Sequence, residues 1–304
     1  MRFPKLNVRI QILILGVLFV AIFYFLKVEN TTQLIVFAST IFLTGVPHGA
    51  LDLYLDREQQ SKIGRKFSNK IFFVKYILNM LLYGLLWCFF PLLALFVFIL
   101  ISAKHFGEID CAFMSKIQTR FSFLYGLFII SFIITAHTVQ TSEIIGYLIP
   151  DFLSAFPLIT IGNQIFKVLY IISITVFISL FVYLFKNNFK NKNLLFFFIQ
   201  TFILLSIFYF LPFYLSFAFY FGLWHSILSF EVILQKLQIE KSWIGWKKLI
   251  IKALPFSLMA WFGLILVMIW GSKNFGVPAL ISMLFVGIAI LTLPHLQIFS
   301  KAIK

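Results

Sequence analysis

Ten stretches of the chain are apolar and long enough to cross a lipid bilayer, and nothing else in the sequence constrains the fold as strongly. A hydrocarbon core about 30 Å thick requires roughly 20 apolar residues per helix, with about 17 as the lower limit. The chain is 62% hydrophobic and its mean hydropathy is +1.02, so an ordinary water-soluble domain is excluded. We predict an all-α, polytopic integral membrane bundle that forms one domain over residues 1–304. The predicted spans are residues 10–26, 33–53, 71–89, 91–107, 121–138, 165–185, 193–210, 213–231, 253–270 and 277–298.

The basic residues favour ten helices with both termini in the cytoplasm. If the N-terminus is cytoplasmic, most of the 25 Lys and Arg residues fall on cytoplasmic connectors or helix ends, Arg9 among them. Pro91 and Pro212 divide two long apolar runs, and joining either pair into one kinked helix would break this charge pattern. The net charge of +15 therefore reflects membrane topology, and we expect no binding to nucleic acid.

Three smaller features complete the outline of the chain. Residues 139–164 form the longest predicted outer connector, which contains no Lys or Arg and suggests a short interfacial helix or lid. Cys88 and Cys111 show no paired spacing and are predicted to be free thiols. The first apolar stretch has no small-residue cleavage site after it, so we interpret it as a retained helix.

All five histidines lie within or at the edge of a predicted span. A single buried histidine is more often structural than a ligand, but ionisable groups inside a membrane are costly and are candidates for function. His48, His105, His225 and His295 lie in the cytoplasmic halves of four helices that run in the same direction across the membrane. We predict that these four imidazoles converge on one metal ion, whereas His137 lies near the outer end of its helix.

Carboxylates accompany two of these histidines. Asp52 lies four residues after His48, hence on the same helical face, where it either orients the imidazole or lies near the metal itself. Glu108 and Asp110 follow His105 closely and are assigned the same supporting role. Solvation of the helix ends is the alternative interpretation of these acids.

The donor set leaves the identity of the metal open, since neutral imidazole suits iron, zinc, copper and nickel. The sequence contains no HExxH motif of zinc proteases and no HxxxH box of diiron desaturases. It also contains neither GxSxG nor a P-loop, which disfavours hydrolase and nucleotide chemistry. A transporter with a histidine proton relay is a further alternative, but the inverted repeats that would support it are not evident.

Four segments, GVPHGALD, SAKHFGEID, FGLWHSILSF and TLPHLQI, resemble the signature segments of the Brp/Blh family of bacterial β-carotene 15,15′-dioxygenases. They occur in the family's order and cover residues 45–297. The resemblance implies a multi-pass enzyme of the bacterial inner membrane that uses Fe²⁺ and O₂ to cleave β-carotene at its central double bond into two retinal molecules. Such an enzyme would be surrounded by membrane lipid, and a functional link to a rhodopsin is a further expectation.

The resemblance also implies roles for single residues. By the family's pattern His48, His105 and His225 are iron ligands, and the fourth ligand lies four residues after the last of these, where this chain has Ser229. Serine is a poor ligand for Fe²⁺, so we expect His295 to replace it, with Asp52 as the next candidate. Candidates to contact the apolar substrate are His137, Phe106, Tyr220 and Trp224.

Ser229 supports a second hypothesis, in which the chain kept the fold and lost the chemistry. Such a protein would bind retinal or a carotenoid, or assist the maturation of a rhodopsin, without cleaving its ligand. The two hypotheses differ in metal content, because the non-catalytic protein is expected to contain little iron.

Overall fold

A computed structural model describes residues 6–114, 121–148, 192–276 and 279–303, together with a few positions between 168 and 186. The four long stretches consist of helices joined by short turns, and they contain no strand. Their helices are α1 (Leu6–Leu26), α2 (Asn30–Lys62), α3 (Asn69–Phe89), α4 (Pro91–Asp110), α5 (Ser122–Ala136), α6 (Thr138–Leu148), α7 (Lys192–Phe210), α8 (Phe213–Lys236), α9 (Trp243–Phe275) and α10 (Ala279–Ile303).

Eight of the helices in these stretches are each long and apolar enough to cross a membrane, namely α1 to α4 and α7 to α10. Helices α5 and α6 meet the same criterion only together, and they are bent by 97° at His137. The prediction of an all-α polytopic membrane bundle is thereby confirmed. The predicted span at 165–185 and the second half of the 139–164 connector lie largely outside the described residues. The single domain and the cytoplasmic location of both termini stay predictions.

Local sequence explains where several helices begin and end. Ser68 and Ser242 cap α3 and α9, because each side chain accepts a hydrogen bond from the backbone N–H three residues later. The two divisions predicted at prolines are observed, since α4 begins at Pro91 and α8 begins directly after Pro212. Gly276 ends α9 with φ of 85°, a conformation that favours glycine.

Two predicted spans fall short of the observed helices by about ten residues at one end. The predicted span 33–53 continues to residue 62, through the polar segment DREQQSK, and the span 253–270 begins ten residues earlier, at Trp243. Hydropathy marks only the apolar part of such a helix, whereas the backbone hydrogen bonds continue into its polar end. Helices α9 and α10 also run through Pro255 and Pro294 without ending.

The chain divides into two compact units, and the first comprises residues 1–41, 102–143 and 153–228. Within it, α1 packs against α7 and α8, and α7 packs against α5. The start of α8 packs against α2 and α5. This unit therefore contains the segments of α4 and α8 that carry His105 and His225.

The second unit comprises residues 42–101, 144–152 and 229–304. Helix α10 lies at its centre and packs against α9, α3 and the later part of α2. Its apolar core contains Tyr83 and Trp87 from α3 and Met283, Val286 and Ala289 from α10, with Ala94. The unit carries His48 and His295.

Both α2 and α8 contain a wider π-helical segment next to a candidate ligand. The segment Ile41–Gly45 directly precedes the Val46-Pro47-His48 turn, and the segment Ala218–His225 ends at a candidate ligand itself. Such segments shift the helical register by one residue and are frequent at functional sites. Hydrophobic periodicity gives no signal for them, and they were not predicted.

Candidate metal centre

In the first unit, α4 and α8 bring His105 and His225 together. Their Nε2 atoms are 3.0 Å apart and their ring planes are inclined by 72°. Both rings are buried, with exposures of 1% and 0%. The ring centroid of Phe106 lies 4.6 Å from that of His225, and the Phe221 ring is nearly parallel to the His225 ring with a centroid distance of 6.1 Å. The two imidazoles therefore face each other within an apolar, aromatic environment.

The separation of these two nitrogens matches that of neighbouring ligands on one ion. Imidazole nitrogens bind a metal at about 2.0–2.1 Å, and at angles of about 90–109° two of them lie about 2.8–3.4 Å apart. Without metal, an N–H···N hydrogen bond between two neutral rings occupies the same distance. The pair in the first unit thus fits a metal without a change in the distance between the rings.

Close backbone contact between α4 and α5 sets the position of His105. A Cβ atom on Gly107 would lie 1.7 Å from the carbonyl oxygen of Ser122, and one on Gly126 would lie 1.8 Å from that of Ala103. Only glycine permits this approach, because both obstacles are backbone atoms. The turn of α4 that carries His105 is therefore held directly against α5.

In the second unit, His48 and His295 form another pair. The ring centroids are 5.0 Å apart, and each residue offers a ring nitrogen within 4.8 Å of the other's. A Cβ atom on Gly49 would lie 3.5 Å from Nδ1 of His295, so the α2 backbone also contacts this ring. Both imidazoles are buried.

Each ring of this second pair directs Nδ1 to an acceptor oxygen. His295 donates from Nδ1 to Oδ1 of Asp52 at 2.8 Å, and the other carboxylate oxygen accepts from the Tyr76 hydroxyl at 3.0 Å. Nδ1 of His48 faces the carbonyl of Thr44 at the longer distance of 3.4 Å. A neutral imidazole protonated at Nδ1 carries its lone pair on Nε2, which is the arrangement of most metal-ligating histidines.

The partner of Asp52 differs from the one that helical spacing suggests. Asp52 lies four residues after His48, but its carboxylate binds His295, 243 positions away in the chain. The cause is the irregular backbone between the two residues, since the helix has a turn at Ala50 and Leu51. Only a fold that packs α10 against α2 reveals this pairing.

Asp110 interacts with two of the aromatic candidates. It accepts hydrogen bonds from the Trp224 indole N–H at 2.8 Å and from the Tyr220 hydroxyl at 3.0 Å. Both aromatic residues belong to the π-helical segment of α8, and all three side chains are buried. Glu108 lies on the same helix as Asp110 and is half-buried. The carboxylate of Asp110 thus fixes the segment that ends at His225.

His137 occupies the bend between α5 and α6. Its Nε2 lies 3.0 Å from the carbonyl oxygen of Phe208 and 3.4 Å from the hydroxyl of Ser216. The ring therefore joins this bend to the end of α7 and the start of α8, all within the first unit.

Cys111 follows Asp110 and is buried. Burial raises the pKa of the Cys111 thiol, and the neighbouring Asp110 carboxyl raises it further. A thiol with a raised pKa is a poor nucleophile at neutral pH.

Comparison with known families decides the class of the protein. The sequence profile of the family described as Beta-carotene 15,15'-dioxygenase matches residues 39–301. The chain belongs to this family. The resemblance seen in the four sequence segments is thereby confirmed, and the chain is a carotenoid-cleaving dioxygenase, for which β-carotene is the substrate that the family implies. Helix α1 precedes the matched residues. No curated protein and no solved structure matches the chain.

Proposed function

We propose that this β-carotene dioxygenase holds one iron ion through His48, His105, His225 and His295. The reaction breaks the central C=C bond of β-carotene, and each of the two carbons receives one atom of O₂ as a carbonyl oxygen. One carotenoid and one O₂ thus give two retinal molecules, with no proton or further reductant required. Bound iron supplies the redox chemistry with O₂ that amino-acid side chains lack.

The arrangement of the ring nitrogens is the observation that carries this proposal. His105 and His225 already hold two Nε2 atoms at ligand spacing, and both rings of the second pair direct Nδ1 to an oxygen acceptor. Four neutral nitrogen donors suit iron, and they also suit zinc, which has no redox chemistry and could not activate O₂. The geometry of each pair therefore supports a redox metal bound by imidazole.

The ligand that replaces Ser229 is the point at which the chain departs from the family pattern. We propose His295 for this position, because Asp52 holds its ring in one tautomer and one orientation. Ser229 is fully buried, and its hydroxyl is a weaker donor than imidazole. A carboxylate bound to a ligating histidine also raises the basicity of that ring, which strengthens the fourth bond.

The substrate contacts are proposed to be aromatic. Phe106 packs against His225, and Trp224 and Tyr220 direct their polar atoms to Asp110. With these hydrogen bonds formed, the Trp224 and Tyr220 rings would offer apolar faces to the substrate while their polar groups keep a partner. His137, which follows the last residue of α5, would contact a more distant part of the substrate. Together these side chains would exclude water and hold a long polyene that enters from the lipid.

The proposal also covers the surroundings of the enzyme. A multi-pass chain takes its apolar substrate directly from the bilayer, which in a bacterium is the inner membrane. Retinal leaves by the same route, and a rhodopsin that needs retinal as chromophore is a suitable recipient.

Expression in a β-carotene-producing bacterium tests the function. We expect loss of the carotenoid colour and formation of retinal, measured by chromatography of the extracted pigments, with the His105→Ala variant as the inactive control. Unchanged β-carotene beside folded, iron-loaded protein would refute the proposal. A protein without iron that copurifies with intact carotenoid would instead favour the non-catalytic hypothesis, as would a gain of activity in Ser229→His.

Asp52→Asn is predicted to weaken the metal site without removing a ligand. The amide is uncharged and binds the His295 N–H less strongly, and the loss of such an outer partner typically costs about 10- to 100-fold in metal affinity. A competition titration with a chelator measures the change. Asp56→Asn is the matched control, since the Asp56 carboxylate accepts a hydrogen bond from Gln60, one turn later on α2, and not from a histidine. Equal affinities for the two variants would contradict the role assigned to Asp52.

A further inference from the structure

Arg9 is fully buried near the beginning of α1, although its position in the sequence suggests a cytoplasmic charge. One of its terminal nitrogens donates to the side-chain oxygen of Gln200 at 3.0 Å, and the other donates to the carbonyl of Ile109 at 2.8 Å. The guanidinium also lies over the ring of Phe113, 4.6 Å from its centroid, and 5.6 Å from that of Trp224. A buried arginine is costly unless charge and hydrogen bonds compensate it, so the position requires a reason.

The contacts of Arg9 converge on the two segments that carry His105 and His225. Ile109 belongs to the last turn of α4, and its carbonyl accepts from the Ala112 N–H at 3.2 Å as well as from Arg9. Carbonyl groups at the C-terminus of a helix attract cations. The next residue, Asp110, is the negative charge that interacts with Arg9 and the acceptor for Trp224. Trp224 directly precedes His225. Arg9 therefore contacts the end of α4 and the last turn before His225 at the same time.

We infer that Arg9 is a positioning residue for the metal centre, acting through Ile109, Asp110 and Trp224 on the spacing of His105 and His225. The inference rests on the proposed metal site, which it extends to a helix outside the residues that match the family. Helix α1 is then part of the catalytic apparatus as well as a membrane anchor. Without Arg9, the charge of Asp110 would be uncompensated. This would weaken the two hydrogen bonds that Asp110 accepts from Tyr220 and Trp224 of α8.

Cobalt binding by the purified full-length protein tests this inference without measuring activity. Co²⁺ accepts the same nitrogen donors, and its visible spectrum reports the geometry of the ligands. We expect Arg9→Met to bind Co²⁺ about 10- to 100-fold more weakly than the wild type, with an altered spectrum. Arg9→Lys keeps the charge but lacks the planar fork, and should fall between the two. Lys27→Met, which removes an exposed charge at the other end of α1, is the control and should match the wild type.

A variant with one unpaired buried charge is prone to misfold, so Arg9→Met/Asp110→Asn accompanies it. The double variant contains neither charge, and we expect it to recover the folded yield but not the wild-type cobalt spectrum. Wild-type affinity and spectrum in a folded Arg9→Met or in the double variant would overturn the inference, and so would a double variant that does not fold. If the wild type itself binds no Co²⁺ or iron, the proposed metal site fails instead, and the inference fails with it.

Discussion

His105→Ala and His225→Ala are each expected to abolish metal binding and the formation of retinal. Each substitution removes one of two nitrogens held 3.0 Å apart in a buried site, and the methyl group of alanine offers no donor atom in its place. The loss should exceed the roughly 10- to 100-fold effect of removing an outer hydrogen-bond partner. Elemental analysis of the purified variants measures the metal content, and pigment extraction measures the product.

His137→Ala provides the matched control for metal content, because it also replaces a histidine of the first unit. The Nε2 atom of His137 interacts with the carbonyl of Phe208 and the hydroxyl of Ser216. This variant should therefore retain iron even if substrate binding suffers. Retention of a full complement of iron in either His105→Ala or His225→Ala would contradict the ligand assignment.

Gly107→Ala is predicted to cause the largest loss of stability among single substitutions of a small residue. The added methyl group would overlap the Ser122 carbonyl at 1.7 Å, and a backbone atom cannot move aside without separating α4 from α5. We expect a cost at or above the upper end of the ~1–3 kcal/mol typical of overpacking. Thermal unfolding in detergent, followed by tryptophan fluorescence, measures the change, and the surviving protein should contain less iron because His105 is displaced.

The control for this substitution is Gly263→Ala in α9. A Cβ atom at Gly263 meets no heavy atom within 4 Å, so alanine should be tolerated there or should stabilise the helix slightly. Similar unfolding temperatures for the two alanine variants would show that the contact between α4 and α5 is looser than the structure indicates.

The sequence predicts the membrane helices well because their cause is local. Twenty apolar residues in succession have few alternatives to a membrane helix, and proline marks the divisions at Pro91 and Pro212. The ends of α2 and α9 were predicted poorly, since polar residues continue both helices beyond the apolar run. Histidines within such runs are also easily recognised as candidate site residues, because ionisable residues are rare inside a membrane.

The supporting interactions could not be predicted in the same way. The hydrophobic periodicity of the sequence does not reveal the π-helical segments before His48 and at His225. The pairing of Asp52 with His295 joins residues that are distant in the chain, and helical spacing suggests a different partner. Arg9 was counted among the cytoplasmic charges, whereas the fold of the first unit buries it beside Asp110. Each of these depends on tertiary packing.

X-ray absorption spectroscopy of the iron-loaded protein tests the central claim most directly. If His48, His105, His225 and His295 bind one iron ion, the spectrum should show four imidazole nitrogens at about 2.1 Å, and elemental analysis of the same sample should give one iron per chain. A first shell dominated by carboxylate or water oxygen, or containing sulfur, would contradict the claim. A shell with fewer than three imidazoles would contradict it equally.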